Sequence, residues 1–369
     1  MTAWLTTFTL TIGAPSGNAA PGPTHSSDVG KEKRRKFNEE GIHHTLIAFV
    51  ALNLAVAAGP IKLRLSEIHM DGYPTTLADR EFARLVKERT QGRIEITVYA
   101  NGVLNATEAE GIEALVLGEL GFARVSAAPV AEFVPDLNAI QLPFLYKSAD
   151  HMWAVLNGQI GQDMLKKIQS SGSGLIGLCW YDAGSRCYYL TKKATTPADL
   201  KGLKIRMQDN KMMVKMTELL GATSITGIGS NEIYSSIMSG IIDGAENNWP
   251  TYDTKGDYKA AKYYILDYHT RVPEILLMSE ASMKARKVSA ADIEIIKQCA
   301  KETQEFEIAQ WKAMEKKSEA NVRAAGTNVV ELTPAQLKLF QDAMKPLYAE
   351  YGAKYTSIIN AIAEVGKKF

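Results

Sequence analysis

Ile61-Lys62-Leu63-Arg64-Leu65 alternates apolar and charged side chains with a period of two, the pattern of a strand that turns one face to a core. Residues 75–90 then carry Leu77, Phe82, Leu85 and Val86 at helical spacing, and Gly92 supplies a stop. Residues 93–99 read as a second strand, 108–117 as a second helix and 120–125 as a third strand. A β-α-β-α-β unit with connections this short predicts an α/β fold with right-handed crossovers and a parallel sheet, whose ligands gather at the carboxyl ends of the strands.

Downstream, residues 175–181 and 187–191 read as strands that open a second block. Strand 203–207, helices 212–220 and 231–238 and strand 241–246 continue it. Residues 273–278 return to a strand pattern, so the second block reads as a lobe inserted into the first. From Ala290 to Ala325 the chain has neither proline nor glycine, which predicts one long helix, about 50 Å at 1.5 Å per residue. Its apolar residues Ile296, Cys299, Phe306, Trp311 and Met314 keep no strict heptad, so a brace across both lobes is expected rather than a coiled coil.

Upstream, residues 1–57 read as processing sequence. The basic run Lys31-Glu32-Lys33-Arg34-Arg35-Lys36 precedes the apolar run Leu46-Ile47-Ala48-Phe49-Val50-Ala51-Leu52-Asn53-Leu54-Ala55-Val56-Ala57, which ends in an A-x-A site. The apolar run is too short to span about 30 Å of hydrocarbon. The expectation is a signal peptide cleaved near Ala57, with export to the periplasm. The first 30 residues would not normally precede one and fit a start codon assigned too far upstream.

The whole chain has 369 residues, 42 basic and 41 acidic. Removing 1–57 takes away one more basic than acidic residue and leaves the remainder formally neutral. A nucleic-acid groove needs a clustered Lys/Arg excess, so no nucleic-acid partner is expected and a small ligand is. Cys179, Cys187 and Cys299 are an odd set without C-x-x-C spacing; a Cys179–Cys187 pair is possible, but apolar neighbours favour buried thiols. No P-loop, G-x-S-x-G or H-E-x-x-H occurs, and His69, His151 and His269 are too scattered for a metal site. Gly172-Ser173-Gly174-Leu175-Ile176-Gly177 matches G-x-G-x-x-G but runs from helix to strand, the reverse of a dinucleotide turn. No cofactor is expected.

Arginines and amides stand out at strand ends. Arg206 ends one predicted strand, Arg186 opens another, and Arg124 interrupts an apolar one. A guanidinium fork matches a carboxylate bidentately, although any one of these could equally form a structural salt bridge. Glu246-Asn247-Asn248-Trp249-Pro250 offers acid, amides and an indole suited to a sugar, or else ordinary loop caps. Ser66-Glu67-Ile68-His69 lies just beyond the first strand, on the ligand-facing edge.

Lys201-Gly202-Leu203-Lys204-Ile205-Arg206 and Tyr234-Ser235-Ser236-Ile237-Met238-Ser239-Gly240-Ile241-Ile242-Asp243-Gly244-Ala245-Glu246-Asn247 resemble the DctP-type substrate-binding proteins of tripartite ATP-independent periplasmic (TRAP) transporters. The resemblance extends from about Ile61 to Phe369. It implies a type II periplasmic-binding-protein fold of two α/β lobes with a hinge and a long bracing helix. Lobe I is expected over 58–184 plus about 272–310, and lobe II over 185–271 plus about 311–369. It further implies a monomeric receptor, not an enzyme, that closes on a carboxylated solute and delivers it to the small and large membrane subunits of a permease. Arg206 is similar to the arginine that clamps the ligand carboxylate.

Arg124-Val125-Ser126, Tyr181-Asp182-Ala183-Gly184-Ser185-Arg186 and His269-Thr270-Arg271-Val272-Pro273-Glu274 resemble the branch that binds hexuronates such as glucuronate and galacturonate. In that branch Arg186 and Asn247 would touch acid and hydroxyls, with Glu67, His69, Glu110 and Arg124 from the first lobe; Glu246, Asn248, Trp249 and Gln208 complete the expected site. A C4-dicarboxylate or other organic acid is the alternative ligand. The rival class is a secreted sugar-acid hydrolase or lyase using Glu67, Asp182 or Glu246. Asn101-Gly102 and Asn105 depart from the family's glycines at one turn, where asparagine is the best-tolerated replacement.

Overall fold

The computed structural model describes residues 59–369, so the expected signal peptide and upstream extension lie outside the described residues. The alternating segment forms β1 (Ile61–Ser66), α1 (Pro74–Arg89), β2 (Ile94–Tyr99), α2 (Glu108–Val116) and β3 (Phe122–Ser126). β1 lies between β2 and β3 and is parallel to both, as short crossovers require. The sheet is not all parallel, however. β4 (Leu175–Tyr181) joins it, not the second block, because the later strand β10 (Glu274–Ser279) inserts antiparallel between β3 and β4, giving the order β2-β1-β3-β10-β4. Every residue of β10 is buried, so this central position satisfies its backbone on both sides.

The second sheet is built from β5 (Cys187–Leu190), β6 (Lys204–Arg206), β7 (Thr223–Ile225), β8 (Gly244–Asn247), β9 (Tyr263–Leu266) and β11 (Asn328–Glu331), in the order β11-β9-β5-β8-β6-β7. β8 starts three residues later than the apolar run suggests, because Gly240 turns at φ 72° and residues 241–243 belong to that turn. The predicted helix 231–238 is a short 3₁₀ turn followed by Ile233–Met238.

The chain passes between the sheets at 182–186, at 267–273 and along one long helix. The first two passages touch: Arg186 N donates to Thr270 O at 2.8 Å. After the short helix α3 (Trp249–Thr254), the long helix α4 spans Ala290–Ala324 and is 35 residues long. Ser289 caps it by accepting from Asp292 N. Ile296, Cys299 and Ala300 of α4 pack with Leu63, Phe82 and Phe122 under the first sheet, while Val322 packs with Tyr189, Trp249 and Tyr264 under the second. Burial of each large apolar side chain is worth about 1.5–3 kcal/mol, so the helix is anchored independently at its two ends. The C-terminal helix Thr356–Gly366, expected with the second lobe, instead packs on residues 135–151. Tyr355 donates to Pro135 O, and the His151 ring lies 2.9 Å from Ile362 O.

Cys179, Cys187 and Cys299 are free and buried. Asn101 takes φ 60° ahead of Gly102 at φ 68°, the left-handed turn that asparagine tolerates.

Candidate ligand-binding site

A pocket opens between the two sheets, at the carboxyl ends of β1, β3 and β8 and beside Arg206 at the end of β6. From the first sheet it takes His69, Glu108, Arg124, Ser126 and Glu274; from the second it takes Arg186, Arg206, Gln208, Asn247, Asn248 and Thr251.

Arg124 is fully buried in β3, and one guanidinium serves three carboxylates. Nε donates to Glu67 Oε2 at 2.9 Å while Nη2 reaches Glu67 Oε1; Nη1 donates to Glu108 Oε1 at 2.8 Å and to Glu274 Oε2. Burial alone would raise the Glu67 carboxyl, but Arg124 and His69 hold it well below the usual carboxylate range. Burial, with Arg124 adding to it, pushes the His69 imidazole down to about 3, so that ring is neutral. Glu274 goes the other way: burial outweighs the pull of Arg124, Glu108 adds repulsion, and its carboxyl rises to about 7. His69 stacks on Tyr73 with ring centroids 3.8 Å apart, and the Tyr73 hydroxyl reaches across to Thr251 Oγ1 at 2.9 Å.

Arg186 opens β5 from the other side. It grips Glu246 through Nε and through Nη2, the latter 2.8 Å from Oε1, and Nη1 donates to Asn247 Oδ1 at 3.1 Å. Burial works against the Glu246 charge, yet Arg186 and His269 bring its carboxyl down to about 2. Burial likewise disfavours His269 as a cation, but Asp267 at 2.8 Å and Glu246 at 3.4 Å raise it to about 9.

Arg206 differs from both. It is half-buried at the end of β6, and its Nε donates to the backbone carbonyl of Ile228 at 2.9 Å. Among the described residues no carboxylate lies within ion-pair distance of it, whereas Arg124 and Arg186 are neutralised. The pocket thus holds one guanidinium with free valence for an anion.

Four predicted positions fall elsewhere. Glu110 is exposed and closes a capping box, accepting from the Ala106 and Thr107 amides at 2.8 and 3.0 Å while Thr107 accepts from Glu110 N. Glu108, two residues earlier, takes the pocket place expected of it. Trp249 is core: it stacks on Tyr264 with centroids 3.9 Å apart, beneath the second sheet. Glu67 and Glu246 do not line the pocket but sit behind it, each holding an arginine that does. Asp182, the third carboxylate of the enzyme reading, accepts from Trp153 Nε1 at 2.7 Å and is likewise outside. The Thr107-x-x-Glu110 spacing was the signal that would have assigned Glu110 to the cap. Ser126 and Glu274 stand in two of the quoted runs, but their pairing with each other, 148 residues apart in the chain, carries no local signal.

The lobes are in direct contact across the pocket. Gln208 Nε2 donates to Ser126 Oγ at 2.9 Å, Asn210 Nδ2 to Ala128 O at 2.9 Å and Lys255 Nζ to Ile68 O at 3.1 Å. Among the described residues no group of His, Cys, Asp and Glu side chains could hold a metal ion, and no helix is long and apolar enough to cross a membrane.

The model of the bacterial extracellular solute-binding protein family 7, DctP, matches residues 65–354. Among solved structures, a TRAP periplasmic solute-binding protein from Pseudomonas putida F1 with bound D-glucuronate is 35% identical, covers 82% of this chain and 96% of its own, and superposes with a TM-score of 0.78. A second, from Citrobacter koseri, is 33% identical with coverage of 82% and 99%; its D-glucuronate-bound form superposes at 0.78. The open, unliganded form of that same Citrobacter protein, 32% identical over 83% and 99%, superposes at 0.70. The present conformation is nearer to the liganded form, in agreement with the hydrogen bonds between its lobes. This chain belongs to the bacterial extracellular solute-binding protein family 7.

Proposed function

We propose that this chain is the extracytoplasmic solute receptor of a TRAP transporter and that its ligand is a hexuronate such as D-glucuronate or D-galacturonate. The observation that carries the reading is Arg206: it faces the pocket and, alone of the three pocket arginines, has no carboxylate partner. A ligand carboxylate supplies that partner, and Asn247, Asn248 and Gln208 supply amide contacts for hydroxyls. The D-glucuronate carried by the Pseudomonas and Citrobacter relatives supports the same class.

In this reading lobe I is 58–184 plus about 272–310, lobe II is 185–271 plus about 311–355, the C-terminal helix returns to lobe I, and the hinge runs through the two touching passages. Closure is a population shift: the ligand stabilises the closed state by touching both lobes at once. The receptor acts as a monomer in the periplasm after cleavage near Ala57 and hands its cargo to the small and large permease subunits. A micromolar dissociation constant requires about 8 kcal/mol, more than one ion pair supplies, so the hydroxyl contacts must share it.

Calorimetry with D-glucuronate, D-galacturonate and succinate tests this. Saturable binding of a hexuronate, recovered chemically unchanged, is the expected result. Turnover of the sugar acid, or binding of none of the three, overturns it.

A further inference from the structure

We propose that Glu108 and Glu274 set the specificity of the pocket: they accept hydroxyl hydrogens from the solute and repel a second carboxylate, so the site takes polyhydroxylated monocarboxylates and refuses dicarboxylates. This rests on the receptor reading above and narrows its substrate class.

The first support is charge. Glu108 and Glu274 both line the pocket, with side chains 9% and 6% exposed, and both lie on Nη1 of Arg124. With Glu67 behind them, three carboxylates share one guanidinium, which leaves that wall acidic. Burial raises the Glu274 carboxyl to about 7, and the neighbouring Glu108 and Glu67 charges add to the rise. On the opposite wall Arg206 offers a single unpaired cation, and Arg186 is already committed to Glu246. Among the described residues the pocket can therefore neutralise one ligand carboxylate, and no cation remains for another.

The second support is hydrogen-bonding capacity. Glu108 Oε2 has only Gln208 Nε2, at 3.3 Å, and Glu274 Oε1 has only the Ser126 hydroxyl, at 3.0 Å. Ser126 Oγ also lies 3.2 Å from Glu108 Oε1, and its single hydrogen can serve only one of the two. Gln208 is 93% buried, lines the pocket, and uses Nε2 on Ser126 and Glu108; its Oε1 is buried without any partner. A buried acceptor left unmade is costly, and a solute hydroxyl is the group that satisfies it. Once Glu274 is ionised, above about pH 7, the positions left free around these groups are acceptors. Such a surface suits the diols of a sugar and disfavours a carboxylate, which also only accepts.

The test is calorimetry on the purified chain with D-galacturonate, galactarate and succinate. Galactarate is the open-chain hexaric acid with the hydroxyl configuration of galacturonate and a second carboxylate. The proposal expects galactarate and succinate to bind at least about 100-fold more weakly than D-galacturonate, as like charges meet without a counter-ion. In Glu108→Gln and Glu274→Gln, D-galacturonate affinity should fall by about tenfold and the gap to galactarate should narrow by a similar factor. Comparable binding of galacturonate and galactarate by the unaltered chain overturns the proposal without any variant, and leaves the receptor reading standing. A galacturonate preference unchanged in both folded variants also overturns it. Binding of succinate but of neither sugar acid overturns both this proposal and the hexuronate reading.

Discussion

Two buried arginines face each other across the pocket, and their surroundings are opposite. Arg124 on the first sheet is outnumbered by Glu67, Glu108 and Glu274, whereas Arg186 on the second is balanced by Glu246 and completed by Asn247. Each has a histidine nearby, and the two histidines report the difference. Burial disfavours the charged form of both rings; at His69 the Arg124 cation adds to it and the imidazole falls to about 3, whereas at His269 the Asp267 and Glu246 carboxylates overcome it and the imidazole rises to about 9. The contrast shows that an arginine at a strand end is an anion anchor only if the fold has not already paired it. By that standard Arg206 is the anchor we propose, with Arg124 and Arg186 shaping the walls.

Removing each cation in turn should separate the two arginines most strongly. Arg124→Met strands three buried carboxylates and should lower unfolding free energy by about 3–5 kcal/mol; Arg186→Met, which strands one, should lower it by less. Urea unfolding of both variants checks the order, and equal losses would mean that the extra carboxylates around Arg124 are already protonated.

Next in size is Arg206→Ala. Loss of the unpaired guanidinium should weaken hexuronate binding by about 3 kcal/mol, roughly 100-fold in Kd, with little change in Tm. Undiminished affinity in calorimetry would move the anchor elsewhere.

The histidines predict opposite pH dependences. The folded-state value of His269 is above its ordinary 6.5, so its contribution is complete below about pH 6.5 and is lost as pH rises through about 9. For His69 the folded value is lower than the ordinary one, so its contribution is present above about pH 6.5 and is lost as pH falls toward 3. Profiles of unfolding free energy against pH should flatten on the alkaline side in His269→Gln, by up to about 3 kcal/mol, and on the acid side in His69→Gln, by up to about 5 kcal/mol. Flattening on the same side in both would refute the assignment.

The smallest effects belong to two residues that the sequence suggested and the structure moved. Trp249→Phe should cost about 1–2 kcal/mol of stability yet change hexuronate affinity by no more than about twofold. Glu110→Ala should cost about 0.5–1 kcal/mol through its lost cap and leave affinity alone. A large affinity loss in either would return that residue to the pocket.

Local patterns were read well where the cause is local. The period-two run at 61–65, the stripe of α1 and the proline-free, glycine-free length of α4 each depend on neighbours in the chain, and each element forms where expected. The residue pattern alone groups β4 with the second block, because an apolar strand does not encode its partner; the bounds 58–184 implied by the resemblance group it with the first, where it pairs with β10, about a hundred residues on. The site was half legible for the same reason. Arg124, Arg186, Arg206, His69, Gln208, Asn247 and Asn248 do line the pocket. Which arginines are neutralised depends on contacts such as Arg124 to Glu274, 150 residues apart, and no spacing rule reaches that far.

The three thiols lie buried, with Cys179 and Cys187 in separate cores where those two do not meet. Cys179 and Cys187 bracket the 182–186 passage, one in the core of each sheet, and Cys299 is buried in α4. A disulfide between the first two would lock the passage on which closure turns and make affinity depend on the redox state of the compartment. As free thiols in separate cores they leave the motion indifferent to oxidants, and the chain can mature without a thiol oxidase. Their burial also leaves the surface unreactive, so a single cysteine engineered on each lobe would take a fluorophore pair cleanly and report opening and closing directly.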